Sequence, residues 1–114
     1  MEDNRRTSPP LAEATTALAQ HLGRELLAIT TGCTPSAVDA WLDGTAAPTD
    51  TEAERLLDAY AVWRDIVEVE SPNTIRAWFM GMKEQLGDLS PAEAIANGGI
   101  WAVRSIARDF IEGG

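Results

Sequence analysis

The 114-residue sequence predicts an all-α protein: a helix-turn-helix half joined by a long helix to a small C-terminal helical half. Three observations carry that prediction. Apolar residues recur at three- and four-residue steps from Leu11 to Phe110, the spacing that lines one face of a helix. Helix punctuation separates these runs, with Pro starts, Gly stops and two capping boxes, Thr49-Asp50-Thr51-Glu52 and Ser90-Pro91-Ala92-Glu93. No stretch alternates apolar and polar side chains with β-branched enrichment, so no strand is expected.

Met1 to Pro10 is charged and polar, with Met1 as its one apolar group, and reads as a flexible arm. Leu11, Ala14, Leu18 and Leu22 form the stripe of the first helix, which Pro10 opens and Gly23 stops. Arg24 to Thr31 continues as a short apolar helix through Leu26, Leu27 and Ile29 and breaks at Gly32-Cys33. Thr34 as N-cap and Pro35 as first helical residue restart the chain, and Val38, Trp41 and Leu42 form a buried stripe until Gly44. Two short helices joined by a Gly-containing turn are a helix-turn-helix candidate.

The loop Gly44 to Pro48 leads into the capping box at Thr49, which opens the longest helix. Ala53, Leu56, Leu57, Tyr60, Trp63 and Val67 share one face of it, and it is expected to run to Glu68 or Val69. At 1.5 Å per residue it spans about 27 Å and joins the two halves. Ser71-Pro72 caps the next helix, which carries Ile75, Trp78 and Phe79; beyond Gly81 and Gly87, Ser90 starts a short one that stops at Gly98-Gly99. Ile100, Val103, Ile106, Ala107 and Phe110 mark the last helix. The chain thus divides into an arm (1–10), a helix-turn-helix-like region (11–69) and a C-terminal helical region (70–114).

Eighteen acidic against nine basic side chains leave a formal charge of −9, and 45% of the residues are apolar, enough for one domain with one core. Such a charge repels phosphate backbones and anionic membranes, so basic partners are the expectation. Cys33 and His21 are the sole residues of their types, which excludes a disulfide framework and a Cys/His zinc cluster and fits a reducing, cytoplasmic setting. The first ten residues contain no apolar signal-type run, and the longest uncharged stretch, Leu26 to Val38, is interrupted by Gly32 and Pro35, so neither export nor a membrane span is expected. No nucleophile–base pair, Cys-x-x-Cys or glycine-rich phosphate loop occurs, which points away from an enzyme and from any cofactor.

A DNA-reading helix-turn-helix places its second helix in the major groove, which here would present Thr34, Ser36, Ala37, Asp39 and Ala40. From Glu25 to Glu54 there are six acids (Glu25, Asp39, Asp43, Asp50, Glu52, Glu54) and no Lys or Arg. DNA contact would therefore rest on Arg5, Arg6, Arg24 and Arg55 from the flanks, with the arm in the minor groove. The favoured reading is that the hairpin is a packing unit, because a helix carrying two acids repels the groove and lacks a bidentate guanine reader.

The stretch Trp78-Phe79-Met80-Gly81-Met82-Lys83-Glu84-Gln85-Leu86-Gly87-Asp88-Leu89-Ser90-Pro91-Ala92-Glu93-Ala94-Ile95, followed by Gly98 and Val103, has a recognisable order. It resembles the C-terminal toxin-binding domain of Xre/MbcA/ParS-type antitoxins, in which a tryptophan helix leads through a turn to a Leu-Gly pair, a Pro-started short helix, a Gly and a final helix. Thr34 to Gly44 and Pro48 resemble that family's Xre-like helix-turn-helix, so the resemblance covers most of the chain after Pro10. Where family members often carry a Pro-Asn pair, this chain has Met82 and Lys83. The resemblance implies a type II antitoxin that binds and silences a partner toxin, commonly one with an NAD-consuming RES domain, with autoregulation of its operon as a second activity. The alternative is a helix-turn-helix transcriptional regulator without a toxin partner.

Four tryptophans exceed what one modest core needs, and aromatic, Met and Arg side chains are enriched at interfaces. Trp41 and Trp63 fall on apolar stripes and read as core. Trp78, Phe79, Met80 and Met82 cannot all face one side of a helix, so part of that cluster, with Trp101, is expected to bind the toxin or a second copy. Arg104, Arg108 and Phe110 of the last helix complete the expected partner-binding set, in a homodimer or hetero-oligomer.

Overall fold

Residues 10–113 are described by the computed structural model. Seven α-helices follow one another through them: α1 (Leu11–Leu22), α2 (Arg24–Thr31), α3 (Pro35–Asp43), α4 (Asp50–Val67), α5 (Pro72–Met80), α6 (Pro91–Ala96) and α7 (Ile100–Ile111). No strand occurs among the described residues, so the fold is all-α. A 3-10 turn over Glu84–Leu86 and an isolated antiparallel bridge between Lys83 and Leu89 shape the α5–α6 connection, which the sequence left as an undefined turn. The arm expected over 1–10, Pro10 apart, lies outside the described residues.

The helix starts follow from side chains that satisfy orphan N–H groups. Thr34 accepts from the Ala37 amide at 3.2 Å to open α3. Both capping boxes form in full: at α4 the Thr49 amide donates to Glu52 (2.8 Å) and the Glu52 amide to Thr49 (3.2 Å), and at α6 Ser90 and Glu93 repeat the exchange at 2.9 and 3.1 Å. Gly32 closes α2 in the left-handed region, with φ +75°, while the Cys33 amide bonds back to the Ala28 carbonyl at 2.9 Å. A Cβ there would be strained, so this glycine makes the turn between α2 and α3 short. Helix α4 stops at Val67, slightly before the expected end, because the Val69 and Glu70 amides both turn back to the Ile66 carbonyl.

One core runs through all seven helices. It joins Leu18 and Leu22 of α1, Leu27 of α2, Val38 of α3, Leu56, Val62 and Ile66 of α4, Ile75 and Phe79 of α5, Ile95 of α6 and Val103 of α7. Helix α2 has its most extensive contact with α6, from the far end of the chain, and α4 packs on both α1 and α7. Residues 11–69 and 70–113 therefore share a hydrophobic interior. Arg76 of α5 strengthens the junction by donating to the His21 carbonyl at the end of α1 (3.1 Å).

A shared interior predicts cooperative unfolding. In a urea titration, tryptophan fluorescence and far-UV circular dichroism should give one coincident transition. Phe79→Ala, which empties a fully buried site, should lower stability by about 3–5 kcal/mol without splitting that transition.

Candidate functional site

Two of the four cations expected to meet DNA, Arg24 and Arg55, are engaged within the chain. Arg24 grips Asp39 of α3 with both ends of its fork, Nε to Oδ1 at 2.8 Å and Nη2 to Oδ2 at 2.6 Å, and reaches Glu25 at 3.3 Å. Hydrogen bonding to Arg24 holds the Asp39 carboxyl below the usual carboxylate range, and the same bond raises the Arg24 guanidinium. Arg55 lies with its side chain 18% exposed. Its Nε donates to the Ala96 carbonyl at the end of α6 (3.4 Å), its other contact is Glu54 at 3.7 Å, and it runs past Gly98, where a Cβ would meet Nη2 at 3.3 Å. Arg24 thus pairs with Asp39 of α3, and Arg55 ties the N-terminal region to the C-terminal one. Thr34 is occupied as N-cap, Ser36 is exposed and Ala37 half-buried. Arg5 and Arg6 lie outside the described residues.

The groups that chemistry would need are likewise absorbed by structure. The Cys33 thiol donates to Glu52 Oε2 at 2.8 Å. Burial first and that bond second push the thiol up, so it stays protonated; the same bond, followed by the Thr49 amide, holds Glu52 low. His21 stacks on Trp63 with centroids 4.9 Å apart, and Tyr60 stacks on the same indole at 5.7 Å. Asp58 is pushed up by burial and then by the charge of Glu54, with Arg55 and Arg104 pulling the other way, and its Oδ2 has no hydrogen-bond partner among the described residues. No cluster of three or more His, Cys, Asp or Glu that could hold a metal occurs among the described residues. No described helix is long and apolar enough to cross a membrane.

The expected partner-binding cluster divides. Trp78 and Phe79 are buried in the core, packed edge to face with centroids 5.3 Å apart. Phe110 folds back onto Trp78 at 5.9 Å and is half-buried, while Lys83 lies over the Trp78 ring at 5.6 Å. Trp78 and Phe79 thus lie inside, because α5 turns both rings inward between α1, α4 and α6. The side chains left outside are Met80 (59% exposed), Met82 (75%) and Trp101 (78%). Trp101 shares the outer face of α7 with Arg108, and Arg104, half-buried, is one turn along. Trp41 and Trp63 pack partly buried against the core, as expected.

Met80 and Met82 do not stand alone. With Leu26 and Ile29 of α2 and Ala92 and Glu93 of α6 they line a groove of about 320 Å³. Ile29 is 47% exposed there, a residue that sequence reasoning had placed in a short apolar helix without a surface role. Its position one turn after the exposed Glu25 was the available signal.

No family model matches this chain, and no curated protein sequence matches it. Its fold matches one chain of the crystal structure of the M. tuberculosis MbcT-MbcA toxin-antitoxin complex, with a TM-score of 0.74 and 22% identity, covering 90% of this chain and 95% of that one. At that identity the likeness is one of fold.

The Arg24–Asp39 pair sets a pH signature. A carboxyl held low in the folded state stabilises above its unfolded value, and that contribution is lost as pH falls through the folded one. An NMR titration of Asp39 should give a midpoint below the ordinary aspartate value, and Arg24→Gln should return it to that value.

Proposed function

We propose that this chain is the antitoxin of a type II toxin-antitoxin pair, a cytoplasmic, non-enzymatic protein that binds and neutralises a partner toxin through its C-terminal half. The observation that carries the reading is a fold likeness, nearly end to end in both chains, to a member of a toxin-antitoxin complex. The sequence resemblance to Xre/MbcA/ParS-type antitoxins supports it independently and points to an RES-type toxin. Physical chemistry supports it as well. Met80 and Met82 bound an apolar groove with Ile29, and Trp101 stands exposed on α7; contiguous exposed apolar surface marks an interaction site. A tryptophan flanked by Arg104 and Arg108 is the side-chain composition of an interface hot spot. The assembly is then a homodimer or a hetero-oligomer that includes the toxin.

Transcriptional control by this chain alone is the weaker reading. Arg24 is held by Asp39 and Arg55 by the end of α6, so the hairpin offers the duplex a face of acids and small side chains. Autoregulation would then depend on Arg5, Arg6 or cations of the partner.

Co-expression with the product of the neighbouring reading frame should restore growth and co-purify the two proteins. Trp101→Ala, at a 78% exposed site, should leave folding intact and weaken toxin binding by about tenfold, some 1.4 kcal/mol; failure of the wild-type chain to bind or neutralise the toxin would refute the proposal. In gel shifts at low and moderate salt, the chain alone should bind its upstream promoter no more tightly than random duplex. A sequence-specific shift would reinstate the regulator.

A further inference from the structure

We infer that the groove between α2 and the α5–α6 segment receives a basic, apolar-anchored helix of the toxin, so that partner binding extends from the C-terminal half onto α2. The inference rests on the antitoxin reading and adds to it a place and an occupant. Leu26 and Ile29, one helical turn apart on α2, form one wall; Met80 and Met82 form the mouth, and Ala92 with Glu93 the other wall. The lining is mainly apolar, with the buried Ser90 and the Glu93 carboxylate as its polar members, and the groove lies open to solvent. Grooves between helices accept the side-chain ridge of a third helix, and methionine, unbranched and polarisable, adjusts to the side chains that enter.

Charge selects the occupant. No Lys or Arg lines the groove. Glu93 stands on its wall, held in place by its bond from the Ser90 amide at 2.9 Å. Glu25 is exposed one turn before Ile29 on the same face of α2. Of the two cations next to groove residues in sequence, Arg24 commits Nε and Nη2 to Asp39 and gives Glu25 only a longer contact at 3.3 Å, and Lys83 lies over the Trp78 ring at 5.6 Å. An apolar floor with a carboxylate rim suits a helix with aliphatic anchors and flanking Lys or Arg, and it disfavours a second copy of this chain, whose formal charge is −9.

The test measures affinity for the purified toxin encoded beside this chain, at two salt concentrations, with the full-length protein. Ile29→Glu and Met80→Glu alter exposed side chains and should leave the circular dichroism spectrum and melting temperature unchanged while weakening binding at least tenfold. Glu25→Lys, which touches no core residue, should also weaken binding and reduce its salt dependence, so the inference stays testable if either groove variant misfolds. Wild-type affinity in folded Ile29→Glu, with wild-type chain binding normally, removes the groove and leaves the antitoxin reading standing. Loss of self-association in Ile29→Glu at unchanged toxin affinity identifies a second copy as occupant and overturns the inference. If the wild-type chain does not bind the toxin at all, both readings fall.

Discussion

Helix α2 is eight residues long, too short to hold its shape in water, and the fold depends on how it is covered. Leu26, Leu27 and Ala28 are buried, and so are Thr30 and Thr31, whose hydroxyls donate back to the Leu26 and Leu27 carbonyls at 2.9 Å each. Those bonds make two polar residues compatible with an apolar site. Cover comes from α3 and α4 on the N-terminal side and above all from α6 on the C-terminal side. The C-terminal region is consequently a structural requirement of the hairpin. Because α2 is enclosed on its other faces, Ile29 is left at the surface beside Met80, and the groove follows from the same packing that stabilises the helix.

The acidic excess is managed by placement. Near the hairpin, Asp39 and Glu52 each face a donor, the Arg24 guanidinium and the Cys33 thiol. Arg55 is drawn inward to the end of α6, where it helps hold the two regions together. The Arg24–Asp39 pair offsets one charge of each sign, whereas the Cys33 thiol holds Glu52 without changing its charge. Among the exposed groups are the carboxylates Glu25 and Glu93 beside the groove and Trp101 on the outer face of α7.

Much of the fold was legible in the sequence, since its signals are local. The two capping boxes, Thr34-Pro35, Ser71-Pro72 and the stops at Gly32 and Gly44 act within one helical turn, and each marked a helix end within a residue or two of its place. The 3-10 turn at Glu84–Leu86 was not legible, because it is held by the pairing of Lys83 with Leu89 and has no periodic stripe. The candidate site was legible in part. A run such as Trp78-Phe79-Met80-Gly81-Met82 announces that some of its side chains must lie outside, but which ones depends on how α5 is rotated against its neighbours. The structure turned the rings inward and the two methionines outward.

The sequence alone determined the helical class, the order and limits of the helices and the acid excess of the hairpin. Only the tertiary structure decided that the two regions share a core, that Arg24 belongs to Asp39 and Arg55 to Ala96, and that α2 contributes Ile29 to the surface around Met80 and Met82. The division has a physical cause. Capping and amphipathic periodicity act over three or four residues, whereas Arg24 lies 15 residues from Asp39, Arg55 lies 41 from Ala96 and Arg76 lies 55 from His21. Pairings at those separations arise from burial of the whole core, and no local pattern encodes them.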